Sequence, residues 1–444
     1  MTIEQKRTLI EGLQQISADG LLDAADAKRA ENLHRLYMYP AMMVPATQSA
    51  IIELLSQYLP DNSWAFDPFM GSGTSLLSCM EYGMNVFGQD INPMAVLLAK
   101  AKTGNFDIAV LESSFFRLKE SCKSDEQNSI DIHFTNIDKW FETDAQISLS
   151  KIRRSIISLD KQDVRRFFWI VFAEIIRTCG NDRTSTFKLH RRAQADIDKR
   201  KLDIVAQFLS LSERSISDVK EYINKLSQKG LISNGSYIRQ IETKWGNTSK
   251  EIDSPLPFSL LVSSPPYGDN QTTVTYGQHS YLALNWIDSK DLNFSADYDY
   301  LKTTQAIDSA SLGGKVHRWY KKDGSGECPA LDRIPSLKAF IEDVPADSRD
   351  KYNKTISFVL DFEECLNHIV SSMSPDAFYV WTIGNRNVDK RVVPNDQILK
   401  DLMKNRGVNL FYETERKILN KKQANKNNYS RTMEKEIILI FHND

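Results

Sequence analysis

Two stretches near the start of this 444-residue chain constrain its fold more than anything else in it: "SWAFDPFMGSGT" (63–74) and "NVFGQDINP" (85–93). The first is a short apolar run that ends at Asp67 and enters a turn carrying Gly71 and Gly73. A helical pattern, "SLLSCMEYG", follows and stops at Gly83. The second stretch is another strand, ending at Asp90, and "PMAVLLAKAKT" then starts a helix with Pro93 in its first turn. A β-turn-α-β-α series of this kind is the front half of a Rossmann-like α/β sheet.

The alternation then breaks. Residues 1 to about 30 read as a polar lead-in helix, and "TQSAIIELLSQY" (47–58) has helical apolar spacing. Residues 1–104 therefore form an N-terminal segment plus the first half of the sheet. Residues 105–235 are a large helical insertion, with patterns such as "VRRFFWIVFAEIIRT" and "ERSISDVKEYINKLSQKG". Strand-like runs resume over 236–287 in "SYIRQIETKWGN" and "PFSLLVSSPPY". Residues 288–350, rich in Asp, Ser and Tyr, read as a smaller irregular insertion. Over 351–444 the patterns predict a helix ("TISFVLDFEECLNHIVSSM") and a buried strand ("DAFYVWTIGN"). "GVNLFYETERKIL" and "KEIILIFH" are strands that close the sheet, with the polar "NKKQANKNNYSRT" between them.

Composition narrows the class. An apolar fraction of 41% and a charged fraction of 26% are ordinary for a globular protein. No apolar run approaches the roughly 18 residues of a membrane span, and the polar N-terminus is not a signal peptide. The five scattered cysteines show no metal or disulfide spacing, so they read as reduced thiols of a cytoplasmic protein. A net charge of −2 argues against a wholly basic nucleic-acid coat but leaves room for a local basic groove.

Three segments carry chemistry. In "DPFMGSGT", Gly71 and Gly73 let the backbone approach a ligand at the carboxyl edge of the sheet, and Asp67 offers a carboxylate to a ligand ammonium. The pattern is neither GxGxxG nor GxxxxGK[ST], which disfavours a bound pyrophosphate or triphosphate. Asp90, at the next strand end, suits the two hydroxyls of a ribose; a lone Asp there would otherwise cap the helix at Pro93. A cofactor with a ribose and an amino-acid-like cation but no phosphates fits both turns, as S-adenosylmethionine does. The third segment is Ser264-Pro265-Pro266-Tyr267, at the carboxyl end of "FSLLVS". Its prolines fix φ and remove N–H donors, leaving carbonyls free to accept from an amine. Tyr267 brings a flat ring and Ser264 a hydroxyl. A proline-rich turn is the plain alternative.

"DPFMGSGT", "GQDINP" and "SSPPYGDN", in this order, resemble the motifs of the amino-directed DNA methyltransferases, which modify N4 of cytosine or N6 of adenine. "HRLYMYPAMMVP" (34–45) is similar to the family segment beside the methionine part of the cofactor, and "AFYVWTIGNRNV" and "SRTMEKEIILIF" to later core strands. The resemblance spans residues 34–442 with gaps. It implies that S-adenosylmethionine lies in the first half of the sheet. Asp67, Pro68, Phe69, Gly71, Gly73 and Thr74 would then line its methionine side, Asp90 with Ile91 would hold the ribose, and Asn247 would contact the adenine. Tyr39 and Pro40 would belong to the methionine-side segment and suit core packing equally. The family acts by direct methyl transfer, with no metal and no cysteine nucleophile. Ser264 and the Pro265 carbonyl would accept the amine's hydrogens, and Tyr267 would stack on a base flipped out of duplex DNA. A Ser before the prolines is commoner in the N4-cytosine members, which favours cytosine over adenine.

The resemblance implies double-stranded DNA as partner and a companion restriction endonuclease in function. The basic stretch "RTSTFKLHRRAQADIDKRK" (183–201), with Arg183, Lys188, Arg191 and Arg192, suits phosphate contacts, or else a solvated helix face. "LSERSISDVKEYINKLSQKGLI" has a faint helix-turn-helix look, and a long packing helix fits as well. Residues 288–350 are the second candidate region for DNA recognition, and Arg386 after "WTIGN" could reach a phosphate. An RNA base-amine methyltransferase and a DNA-binding protein with a vestigial cofactor site are the competing readings.

Overall fold

The computed structural model describes residues 1–25, 33–250, 252–254, 257–292, 294, 296–418 and 433–443. Its centre is a seven-stranded sheet. In chain order the strands are β1 (Trp64–Asp67), β2 (Asn85–Asp90), β3 (Ile241–Trp245), β4 (Phe258–Ser263), β5 (Met373–Ile383), β6 (Asn409–Lys417) and β7 (Lys435–His442). Across the sheet they run β3-β2-β1-β4-β5-β7-β6. All neighbours from β3 to β5 pair in parallel, and β7 alone is reversed, pairing antiparallel with β5 and β6. This is the doubly wound order of nucleotide-binding sheets with a reversed strand slipped in near one edge. The expected α/β class and every expected core strand are present.

Alternation along each strand divides two apolar cores. Ala65, Val86, Leu260, Val262, Val380 and Ile440 face one core. Phe66, Phe87, Leu261, Tyr379, Trp381 and Leu439 face the other. That is the period-two consequence of a pleated strand buried on both sides.

The helices Thr74–Met80 and Pro93–Thr103 follow β1 and β2 as expected. The lead-in helix is shorter than expected, running Ile3–Ala18 behind a Thr2–Gln5 capping box, and residues 26–32 of that expectation lie outside the described residues. The polar stretch 420–432 also lies outside them.

The helical insertion packs into the same core as one sheet face. In its helix Gln162–Cys179, Phe167 through Phe172 are all completely buried. They share a core with the sheet face and the helix Pro93–Thr103. Asp291 ties the insertion down: it accepts from both Arg165 Nε and Nη2, and from Trp169 Nε1 at 2.7 Å. Of the two readings of this stretch, the long packing helix is the one present. Residues Ile204–Gln228 form one continuous helix capped by Asp203. Its Phe208, Leu211, Val219, Tyr222 and Leu226 form a buried stripe at helical spacing, and no turn residue interrupts it.

The 288–350 insertion splits in two. Leu331, Ile334, Leu337, Ile341 and Val344 join the second core. An earlier part, including Tyr298, Lys302, Ile307 and His317, turns to the cavity described next.

Candidate active site

Chain order reverses between β1 and β4, so a crevice opens at their carboxyl ends. A cavity of ≈ 770 Å³ lies there. Its walls include Tyr39, Pro40, Pro68, Phe69, Gly71, Thr74, Asp90, Ile91, Asn247, Ser264 and Pro266. Tyr39 and Pro266, far apart in the chain, thus meet at one site.

On one side, the β1 turn and the β2 end are stitched together through Asp90. One carboxylate oxygen accepts the Gly71 N–H at 2.9 Å, and the other accepts the Asn92 N–H at 2.8 Å. Each oxygen keeps a lone pair for a ligand. Burial pushes the Asp90 carboxyl up to about 6, against the pull of those backbone donors. Asp90 is not the helix cap: Asn92 takes that place, accepting the Met94 N–H at 3.0 Å. The Asn92 amide also donates to Tyr39 Oη and Ser280 Oγ, fixing the Tyr39 segment and the helix Tyr276–Trp286 around the cavity. Tyr39 and Tyr276 stack with ring centroids 5.6 Å apart. Gly71 has φ +46°, and a Cβ there would sit 3.4 Å from the Tyr39 ring.

Asp67 has a different place from the one expected. It is fully buried and off the cavity wall. Its oxygens accept from Phe69 N at 3.0 Å, Ser263 Oγ at 2.7 Å and Ser75 Oγ. It joins β1, β4 and the helix Thr74–Met80. Burial raises its carboxyl to about 6. Gly73, with φ +72°, also lies behind the wall, where a Cβ would meet Ala99 at 3.3 Å.

The β3 end supplies Asn247, whose Oδ1 accepts from Ser249 N and Oγ. Above Ile91 lies an aromatic group: Trp245 Nε1 donates to the Ile91 carbonyl at 2.9 Å, and Trp245 stacks on Phe294. Tyr298 also bonds that carbonyl.

Opposite, the corner after β4 presents Ser264 and Pro266 to the cavity, while Pro265 is buried. Tyr267 stands behind Ser264 rather than on the wall. Its hydroxyl donates to Glu436 Oε1 at 2.9 Å and lies 3.2 Å from Ser264 Oγ. Asn395 clamps the corner from below, donating to the carbonyls of Tyr267 and Gly384.

The expected DNA contacts fare unevenly. Arg386 is turned inward: it donates to Asp269 at 3.3 Å and to Thr272 at 3.1 Å, and is only 15% exposed. It braces the loop after Tyr267, because the buried Asp269 needs a counter-charge. Arg191 donates to the Lys139 carbonyl and Gln194, Arg192 is half-buried, and Arg200 caps carbonyls at the end of the helix Gln162–Cys179. Arg183 and Lys188 remain exposed. They sit on a loop docked to the cavity-side helix through Thr275 Oγ1 to the Phe187 carbonyl and the Leu189 N–H to Gln278. His279 is structural: it meets the Met38 carbonyl at 2.9 Å, and burial lowers its pKa to about 3.

Sequence reasoning missed Asn92, Tyr298, Lys302 and His317 as wall residues. Asn92 had a signal, an Asn directly before the Pro-started helix. The others come from irregular or post-corner segments whose path has no periodicity to follow.

No family model matches the chain. Among curated proteins, it is 31% identical over 432 residues to the type II methyltransferase M.MvaI of Kocuria varians, covering 93% of this chain and 91% of that protein. It is also 30% identical over 119 residues to the type II methyltransferase M.MjaII of Methanocaldococcus jannaschii, covering 27% and 22% of the two chains. Among solved structures, the rRNA methyltransferase aviRa of Streptomyces viridochromogenes aligns over 94% of this chain and 92% of its own, with 9% identity and a TM-score of 0.31, too distant to bear on fold or substrate. Among the described residues no helix is long and apolar enough to cross a membrane, and all five cysteines are free and buried.

Proposed function

Because the chain belongs to the type II methyltransferases, we propose that it methylates the exocyclic amine of a base flipped out of duplex DNA, N4 of cytosine in the first instance, as the modification arm of a restriction–modification pair. S-adenosylmethionine is the methyl donor. The observation that carries the reading is the meeting of two chemistries across one ≈ 770 Å³ cavity: the Asp90–Gly71 edge and the Ser264–Pro266 corner.

The wall fits the cofactor. Asp90 has a lone pair on each oxygen for a ribose diol, and Gly71 permits the φ of +46° at which the turn meets the cavity. Ile91 and Phe69 offer apolar surface for an adenine, Asn247 an amide for its edge, and Tyr39, Pro40 and Thr74 surround the methionine end. Asp67 and Gly73 act one layer back, by shaping the turn. When bound, the cofactor supplies a methyl group on a positively charged sulfur.

An aromatic amine is a weak nucleophile because its lone pair is delocalised into the ring. Ser264 Oγ, on the wall, accepts one amine hydrogen and favours a geometry in which that pair localises on nitrogen. Pro266 packs beside the base. Tyr267, behind the wall, contributes through its hydroxyl, and a stacking face for the base is better supplied by Tyr276 or Tyr298. Holding both reactants in one cavity supplies much of the acceleration. The exposed Arg183 and Lys188, on a loop docked to the cavity-side helix, are basic groups free to make phosphate contacts.

The test is transfer of labelled methyl to unmethylated plasmid DNA and to transfer RNA, followed by digestion to nucleosides. N4-methylcytosine in DNA is the expected product. N6-methyladenine would replace the cytosine assignment, and label in RNA alone would overturn the DNA reading.

A further inference from the structure

We propose that Glu436 and Arg416, which lie outside the cavity wall, fix the direction of a hydrogen-bond chain that makes Ser264 an acceptor toward the target amine. This rests on the methyl-transfer reading above and deepens it by naming positioning residues for the reaction.

The chain begins at Arg416, a 9% exposed residue on β6 paired directly across from Glu436 on β7. Its Nε donates to Glu436 Oε2 at 2.8 Å, and its Nη2 pairs with the same oxygen at 2.5 Å. The other carboxylate oxygen, Oε1, accepts from the Tyr267 hydroxyl at 2.9 Å. A carboxylate is an acceptor only, so Tyr267 must spend its single proton on Glu436. The remaining contact, Ser264 Oγ to Tyr267 Oη at 3.2 Å, can then be made in one sense only: Ser264 donates and Tyr267 accepts. With its proton turned away, Ser264 presents lone pairs alone to the cavity it lines. An amine hydrogen is welcome there, and a carbonyl oxygen is repelled. Burial and the Glu436 charge push the Tyr267 phenol well above its ordinary range, so it stays a donor at every working pH.

The arrangement explains why Tyr267 stands behind Ser264 with its hydroxyl aimed at a charged pair on the closing strands. It also makes the distant C-terminal hairpin part of substrate selection, since β6 and β7 carry the two charges that set the chain's sense.

Glu436→Gln reverses the chain. Arg416 still demands an acceptor, so the amide oxygen stays with it and the amide N–H2 faces Tyr267. Tyr267 then accepts, its proton swings to Ser264, and the Ser264 hydroxyl points a proton at the amine. The experiment measures single-turnover methylation of unmethylated plasmid DNA and S-adenosylmethionine affinity by calorimetry. It uses wild type, E436Q, Ser264→Ala and the double variant, each checked for its thermal midpoint. The expected result for E436Q is a loss of about 10- to 100-fold in rate, with cofactor affinity unchanged. In the Ser264→Ala background the same substitution costs less than about twofold, because its route of action is gone. Tyr267→Phe, which keeps the ring and removes the hydroxyl, lowers the rate in the same Ser264-dependent way and serves if E436Q does not fold. A wild-type rate in both E436Q and Tyr267→Phe, or losses that multiply in the double variant, overturns the chain while leaving methyl transfer standing. A wild-type protein that methylates no DNA overturns the methyl-transfer reading itself, and the chain's role with it.

Discussion

Replacing Asp90 by Asn separates cofactor binding from stability in a way few site substitutions do. The Asp90 carboxyl is raised by burial from 3.8 to about 6. A carboxyl raised on folding holds its proton more tightly in the folded state. Its contribution is therefore most favourable below about pH 4 and declines as pH climbs to 6. Above that the charged form costs at most about 3 kcal/mol, less whatever the cavity's water screens. Asn removes this cost but turns an N–H2 toward either the Gly71 or the Asn92 N–H, where a carboxylate oxygen now accepts. An unmet backbone donor there costs about 1–3 kcal/mol. The two nearly cancel, so the thermal midpoint at pH 7.5 moves by only a few degrees. Affinity does not cancel: one of the two charge-assisted acceptors proposed for the ribose is gone, weakening S-adenosylmethionine about 10- to 100-fold. In the wild type, affinity falls about tenfold between pH 7.5 and 5 as Asp90 takes up its proton, and the Asn variant lacks this dependence. Calorimetric titration at both pH values checks each figure. A variant that binds as tightly as wild type, or a wild-type affinity flat with pH while the fold persists, would refute the reasoning.

Two further substitutions test the frame around the site. Gly73→Ala forces φ +72° on a residue with a Cβ and presses that Cβ to 3.3 Å of Ala99; thermal or urea unfolding should show a loss of about 1–3 kcal/mol, and an unchanged midpoint would mean the turn is looser than described. Asp291→Ala strands Arg165 and the Trp169 N–H in a buried setting and should cost about 3–5 kcal/mol in urea unfolding. Burial pushes the Asp291 carboxyl up, but hydrogen bonds from Arg165 and Trp169 outweigh it and hold it below the usual range. Its stabilisation is therefore complete above about pH 4 and lost as pH falls through that lowered value, and a gap between wild type and variant that stayed constant down to pH 2 would contradict the assignment.

What the sequence by itself determined was local and periodic. The strands at 64–67 and 85–90, the helix started by Pro93, and the buried runs at 258–263 and 373–383 were legible because alternation, proline placement and glycine stops act within a few residues. The approach of Asp90, Gly71, Asn247 and Ser264 to one cavity followed from that, since strand ends of a doubly wound sheet must share an edge. Tertiary structure alone decided which polar groups face the cavity and which face the protein. The residue types alone do not say which way Asp67 or Arg386 points. Only the packed neighbours Ser263, Ser75, Asp269 and Thr272 turn them inward. The long helix Ile204–Gln228 resolved an ambiguity of spacing by burying one stripe against the core. The partnership of Tyr267 with Glu436 joins residues 169 positions apart, and no pattern within either segment could announce it. A hydrogen bond's direction is settled by which partner has a proton to give, and that requires the whole chain to be folded first.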